Sequence, residues 1–111
     1  MKIAAYCLLA IVAIACSGPK LITPTQTQVD AVSGKYPGVT LAQLELGKAS
    51  YEGNCQTCHK LYKPGSLDEA GWNEIVPVMA AKANKKAGSE VVNAEKQEAI
   101  LRYLMAARTG N

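Results

Sequence analysis

The side chains best able to do chemistry stand together in one short segment, Cys55-Gln56-Thr57-Cys58-His59. Two thiols three positions apart are followed at once by an imidazole, and His59 is the single histidine of the 111-residue chain. On a helical turn, that spacing lets each thiol form a thioether with one vinyl group of a porphyrin. The next residue then lies beneath the iron, where its imidazole nitrogen can serve as the proximal ligand. The segment therefore reads as the attachment site of one covalent c-type haem, through Cys55 and Cys58, with His59 on the metal. A ligating imidazole needs an acceptor for its other ring N–H to fix its tautomer. The carbonyl of Pro64, a few residues on, is the candidate.

Two rival chemistries fit the segment less well. A thioredoxin-like C-x-x-C needs a βαβ context, and no strand pattern surrounds these cysteines. A zinc site needs about four ligands, and beyond Cys55, Cys58 and His59 the chain past its N-terminal apolar run offers only the distant Cys16. With one histidine, bis-histidine ligation within the chain is excluded. The sixth iron ligand is then Met79, Met105, a lysine, or nothing. No second metal cluster, distal histidine or nucleophile–base pair points to catalysis, so the expectation is a protein that is not an enzyme.

The elements that must position this segment read as helices. Thr40 followed by Gln43 has capping-box spacing, and Leu44, Gly47 and Tyr51 then fall on one helical face. Glycine inside a helix costs ~1 kcal/mol against alanine, which close approach by another helix would justify. The C-terminal stretch offers that partner. Asn93 is its N-cap, Ile100, Tyr103, Leu104 and Ala107 form an apolar stripe, and Glu98 with Arg102 is an i, i+4 pair on the other side. Between them, Ser66 with Glu69 suggests a second capping box. Beyond it Trp72, Ile75, Val76, Met79, Ala80 and Ala83 share a face, and Pro77 should kink that helix or tighten its start.

Gly47-x-x-x-Tyr51-x-x-x-Cys55-x-x-Cys58-His59, with a terminal helix carrying Ile100-x-x-Tyr103-Leu104, resembles a class I c-type cytochrome over residues 40–108. The resemblance implies an all-α fold, a small helical domain wrapped around one covalent haem. In that family the first and last helices cross at a small residue and an aromatic beside the haem. The stretch from Trp72 to Met79 is similar to a compact subgroup of monohaem domains in which a methionine on or after the tryptophan helix ligates the iron. By that match Met79 is the distal ligand. Many class I members present this methionine from an irregular loop beside a proline, whereas here it falls within a helical pattern. Taken alone, a methionine in an apolar stripe is ordinary core. Trp72 is expected against the haem, giving apolar area and an N–H to a propionate, or else is plain core. Tyr62 could do similar work.

The implied function is single-electron transfer by a His59/Met79-ligated haem. The alternatives are a gas-binding or sensing domain with an open distal site, and an accessory subunit whose haem is structural. Lys60 and Lys63 follow the haem motif, and Lys82, Lys85 and Lys86 follow Met79. They could steer the domain to an acidic redox partner, or simply form a solvated face. The formal net charge of +3 and the dispersed basic residues give no sign of nucleic-acid binding. A monomer is expected.

The N-terminus reads as an export signal. Lys2 precedes an apolar run over residues 3–14, short of the about 20 residues that span a bilayer. Ala13-Ile14-Ala15-Cys16 resembles a bacterial lipobox, with alanine where leucine is usual, and it also fits an ordinary A-x-A cleavage site. An exposed thiol in an oxidising compartment is a liability, which favours a lipid on Cys16. Cys7 is then a small apolar residue of the signal. Residues 1–15 form the signal peptide and residues 16–39, rich in Pro, Thr, Gln, Gly and Ser, form a lipid-anchored flexible tether. The other possibility for that stretch is an ordered arm wrapped on the domain. Residues 40–111 form the haem domain, placed on the periplasmic side of a bacterial membrane. Ser17 after Cys16 mildly favours the outer membrane.

Overall fold

A computed structural model describes residues 21–55 and 60–108. The described residues are all-α, with no strand among them. We number the helices α1 (Gln26–Ser33), α2 (Leu41–Ser50), α3 (Glu69–Ala87) and α4 (Ala94–Ala107). A π-helical turn, Tyr51–Cys55, extends α2, and a 3-10 turn, Pro64–Ser66, leads into α3.

Local chemistry fixes the helix starts. The Thr40 hydroxyl accepts from the Gln43 N–H at 3.1 Å and opens α2. The Asn93 side chain accepts from the Lys96 N–H at 2.9 Å and opens α4. Each bond satisfies one of the N–H groups that a helix start leaves unpaired. The start of α3 differs from the expected Ser66/Glu69 box. Asp68 is the N-cap, its carboxylate accepting from the Gly71 N–H at 2.8 Å, while Ser66 belongs to the preceding 3-10 turn. Aspartate caps as well as serine, and the 3-10 turn moves the helix start two residues on. Helix α3 runs through Pro77 without ending. Pro77 and Asn73, whose carbonyl loses its i+4 donor there, both lie on the exposed face, so water can replace the missing bond.

Helices α2 and α4 form the centre of the domain. Gly47 is the reason they approach so closely. A Cβ built on it collides with the Ala99 carbonyl of α4 and lies 2.8 Å from the Tyr103 Cβ. The core joins Tyr51, Trp72, Val76, Ala80, Val92, Ile100, Tyr103 and Leu104. Its largest members are fully enclosed, each burial stabilising the fold by roughly 1.5–3 kcal/mol. At the far end of α3, Gly88 takes a left-handed conformation (φ 70°) that ends the helix. Asn84 then clasps the return chain. Its amide donates to the Val92 carbonyl at 3.1 Å and its side-chain oxygen accepts from the Val92 N–H at 2.8 Å.

Over its described part, the stretch expected to be a flexible tether is an ordered arm. Helix α1 packs Val29 into a second cluster with Val39, Leu44 and Ala106. Leu21 and Ile22 pack on the main core, and the Tyr103 hydroxyl donates to the Ile22 carbonyl at 2.8 Å. Beyond α1, Tyr36 donates to Glu69 at 3.0 Å, Lys35 pairs with the same carboxylate, and the Arg102 guanidinium lies 4.0 Å from the Tyr36 ring centroid. The expected Glu98–Arg102 pair is present at 3.1 Å, so it joins this network. Thr25 and Gln28 start α1. The Gln28 side-chain oxygen accepts from the Thr25 N–H at 2.7 Å. A polar composition hid the arm, because its order comes from scattered apolar anchors, Leu21, Ile22, Val29 and Val39, and not from a periodic stripe.

Candidate functional site

Helix α2 passes directly into the π turn, which brings Tyr51 and Cys55 inward together. Single π turns are frequent at functional sites, and this one delivers the first cysteine of the C-x-x-C-H segment to the core. Cys58 and His59 lie outside the described residues, as do Gln56 and Thr57. So do Cys7 and Cys16, with the signal and its cleavage site. What can be read is the frame on either side of the motif.

Cys55 opens onto a cleft of about 250 Å³ between the π turn and α3. Met79 lines the same cleft, with Ile75, Val78 and Ala83 of α3. The structure thus brings together two residues that are 24 positions apart in sequence (79 − 55 = 24). Asn54 and Lys82 supply its polar rim, and Tyr62 closes one side. A second hollow, about 510 Å³, continues past Tyr62 and Ile75 to Ser66, Leu67, Gly71 and Glu74. Met105 is half-buried on α4 and lines neither hollow.

The exposed large hydrophobic side chains among the described residues are Tyr62 (50 % exposed) and Val78 (44 %), and both line the Cys55–Met79 cleft. Isolated exposed apolar residues are normal, but a contiguous apolar wall around a hollow suggests something that covers it. The lining thus offers a thiol (Cys55), a thioether (Met79) and apolar side chains to one hollow, the donor types and apolar contacts that a porphyrin would use. In the chemistry of this lining, the described residues are compatible with a haem. Val78 is the apolar α3 residue of the wall that lies outside the predicted stripe. It is apolar yet off the core face, a signal that could have found it.

Trp72 does not face solvent or cleft polar groups. It is fully buried, and its indole N–H donates to the Pro64 carbonyl at 2.8 Å. That N–H is thus committed within the protein and is not the donor to a propionate that the sequence suggested. The Pro64 carbonyl, expected to receive the His59 N–H, already accepts this bond, and one lone pair remains for a second donor. Tyr51 packs edge-on to Trp72, with ring centroids 6.1 Å apart and planes at 89°. Its hydroxyl donates to the Tyr62 carbonyl at 2.6 Å. Two buried aromatics thus hold two carbonyls of the loop that follows the C-x-x-C-H segment. Burial pushes the Tyr51 hydroxyl well above the usual tyrosine range, with Cys55 adding in the same direction, so it stays a donor.

Lys60, Lys63, Lys82, Lys85 and Lys86 are all exposed. Lys82 is on the cleft rim, while Lys85 and Lys86 occupy the last turn of α3, where positive charge also suits the helix dipole. Among the described residues no group of three or more His, Cys, Asp or Glu side chains is placed to hold a metal ion, and no helix is long and apolar enough to cross a membrane. Compared with models of protein families, with curated proteins and with solved structures, the chain matches none.

Proposed function

We propose that this chain is a monohaem c-type cytochrome that carries single electrons outside the cytoplasm, anchored to a membrane by a lipid on Cys16. The observation that carries the reading is the C-x-x-C-H segment, whose first cysteine shares an apolar cleft with Met79. When bound, the haem supplies one reversible electron through its iron. Cys55 and Cys58 would hold it by thioethers, and His59 and Met79 are the candidate iron ligands. The soft sulfur of Met79 favours the ferrous state and raises the potential relative to two imidazoles. With the haem seated against them, Ile75, Val78 and Ala83 would exclude water and lower the local dielectric, which disfavours the extra charge of the ferric state. Tyr51 and Trp72 bond to the Tyr62 and Pro64 carbonyls of the loop that follows His59, which would restrain the proximal side of the haem. Lys82, Lys85 and Lys86 would guide an acidic partner to the cleft side, and a transient redox contact needs only a small surface.

The test is the optical spectrum of the matured protein, oxidised and reduced, with the near-infrared band of methionine–iron(III) ligation, repeated on Met79→Ala. The reading expects a low-spin spectrum with that band, lost on substitution. A high-spin parent that binds carbon monoxide rapidly when reduced would replace the electron carrier with a gas-binding domain.

A further inference from the structure

We propose that the N-terminal arm is a fixed strut that holds the domain close to its anchoring membrane and confines electron exchange to partners at that same surface. The inference rests on the reading of Cys16 as the lipid-bearing residue. If residues 16–39 were all free, their contour could reach ~80 Å. The arm is instead attached from its first described residue. Leu21 and Ile22 pack on the main core, and the Ile22 carbonyl is held by Tyr103. Val29 and Val39 are buried against Leu44 and Ala106. Tyr36 and Lys35 are held by Glu69, and Arg102 covers the Tyr36 ring.

These attachments are spread along the arm and reach α2, α3 and α4, so no single break frees it. Only the five Cα–Cα steps from Cys16 to Leu21 remain between lipid and domain, at most ~18 Å of chain. A domain of this size adds ~30 Å. The haem cleft therefore stays within ~50 Å of the bilayer, and a partner that does not come within that distance of the same membrane is out of range. The strut makes the domain a local relay and not a shuttle on a long leash.

The test uses the full-length matured chain on a supported bilayer, with protein-layer thickness read by neutron reflectometry and arm protection read by hydrogen exchange. The expected native layer ends within ~50 Å of the headgroups, with residues 22–39 protected alongside α4. A flexible Gly/Ser spacer of about 20 residues between Lys20 and Leu21, which leaves the fold untouched, should extend the layer by ~25 Å. An arm that exchanges as fast as unfolded chain, or a native layer as thick as that of the spacer variant, overturns the strut. Failure of the protein to float with lipid vesicles overturns the anchor instead, while a protein that floats but lacks a haem spectrum leaves the strut standing and removes the proposed electron transfer.

Discussion

The indole N–H of Trp72 donates to the carbonyl of Pro64 across 2.8 Å of buried space. Helix α3 is thereby fastened to the loop after the C-x-x-C-H segment by a bond that needs no cofactor. Trp72→Phe keeps an aromatic ring and leaves that carbonyl without its indole donor. The expected loss is about 1–3 kcal/mol, measured by urea unfolding of the matured protein.

Gly47→Ala should destabilise in spite of the ~1 kcal/mol that alanine gains in a helix. The new methyl group meets the backbone carbonyl of Ala99, which cannot swing aside as a side chain could. The two central helices must separate, at a net cost of about 1–3 kcal/mol. Gly34→Ala is the control. A Cβ there meets nothing within 4 Å, and the thermal midpoint should hold or rise slightly.

Asn84→Ala should loosen the connection between α3 and α4. It removes the partner of both the Val92 N–H and the Val92 carbonyl, although Gln97 still reaches that carbonyl at 3.4 Å. A loss of about 1–3 kcal/mol is expected, together with faster hydrogen exchange at Val92.

Stability should fall in alkali. Burial raises the Tyr51 and Tyr103 hydroxyls well above the ordinary value of 10.0, with Glu52 adding to the effect at Tyr103. The native state then keeps protons that the unfolded chain releases near pH 10, so the stabilisation is complete below that pH and is lost as pH rises through the folded values. Denaturation midpoints across an alkaline series measure the slope, which Tyr103→Phe should make shallower. That variant also loses the bond to Ile22, so its stability at neutral pH should already be lower by about 1 kcal/mol.

The features legible in the sequence were those set by neighbours in the chain. Thr40 and Asn93 cap the helices they were expected to cap, and Gly47 lies where a second helix presses close. The buried face of α3 is the stripe from Trp72 to Ala83, with Ile75 at its half-buried margin. What could not be read depends on contacts between distant segments. The indole of Trp72 chooses the Pro64 carbonyl because both are sealed from water. Helix α1 has few apolar residues and stands because α4 and the start of α2 receive Val29 and Val39. Nothing in Tyr51–Cys55 marks a π turn beforehand. Asp68 displaced Ser66 as a cap because an intervening 3-10 turn set the helix phase. In the candidate site, the motif itself, Met79 and Tyr62 were visible as residue types, while the part of the lining made by Val78 and Asn54 took shape only with the fold.

The bond from Tyr103 to Ile22 spans 81 positions of the chain. A contact that long raises the contact order, and its loop-closure entropy must be met before it returns any stability. The arm can lock only after the last helix has been made and has docked. Until then the middle of the chain, with Cys55 and Cys58, belongs to a fold that is not yet closed. On the proposed reading, this order of events leaves an interval in which the two thiols are open to attachment, ended by the closing of the ring between the two ends of the domain.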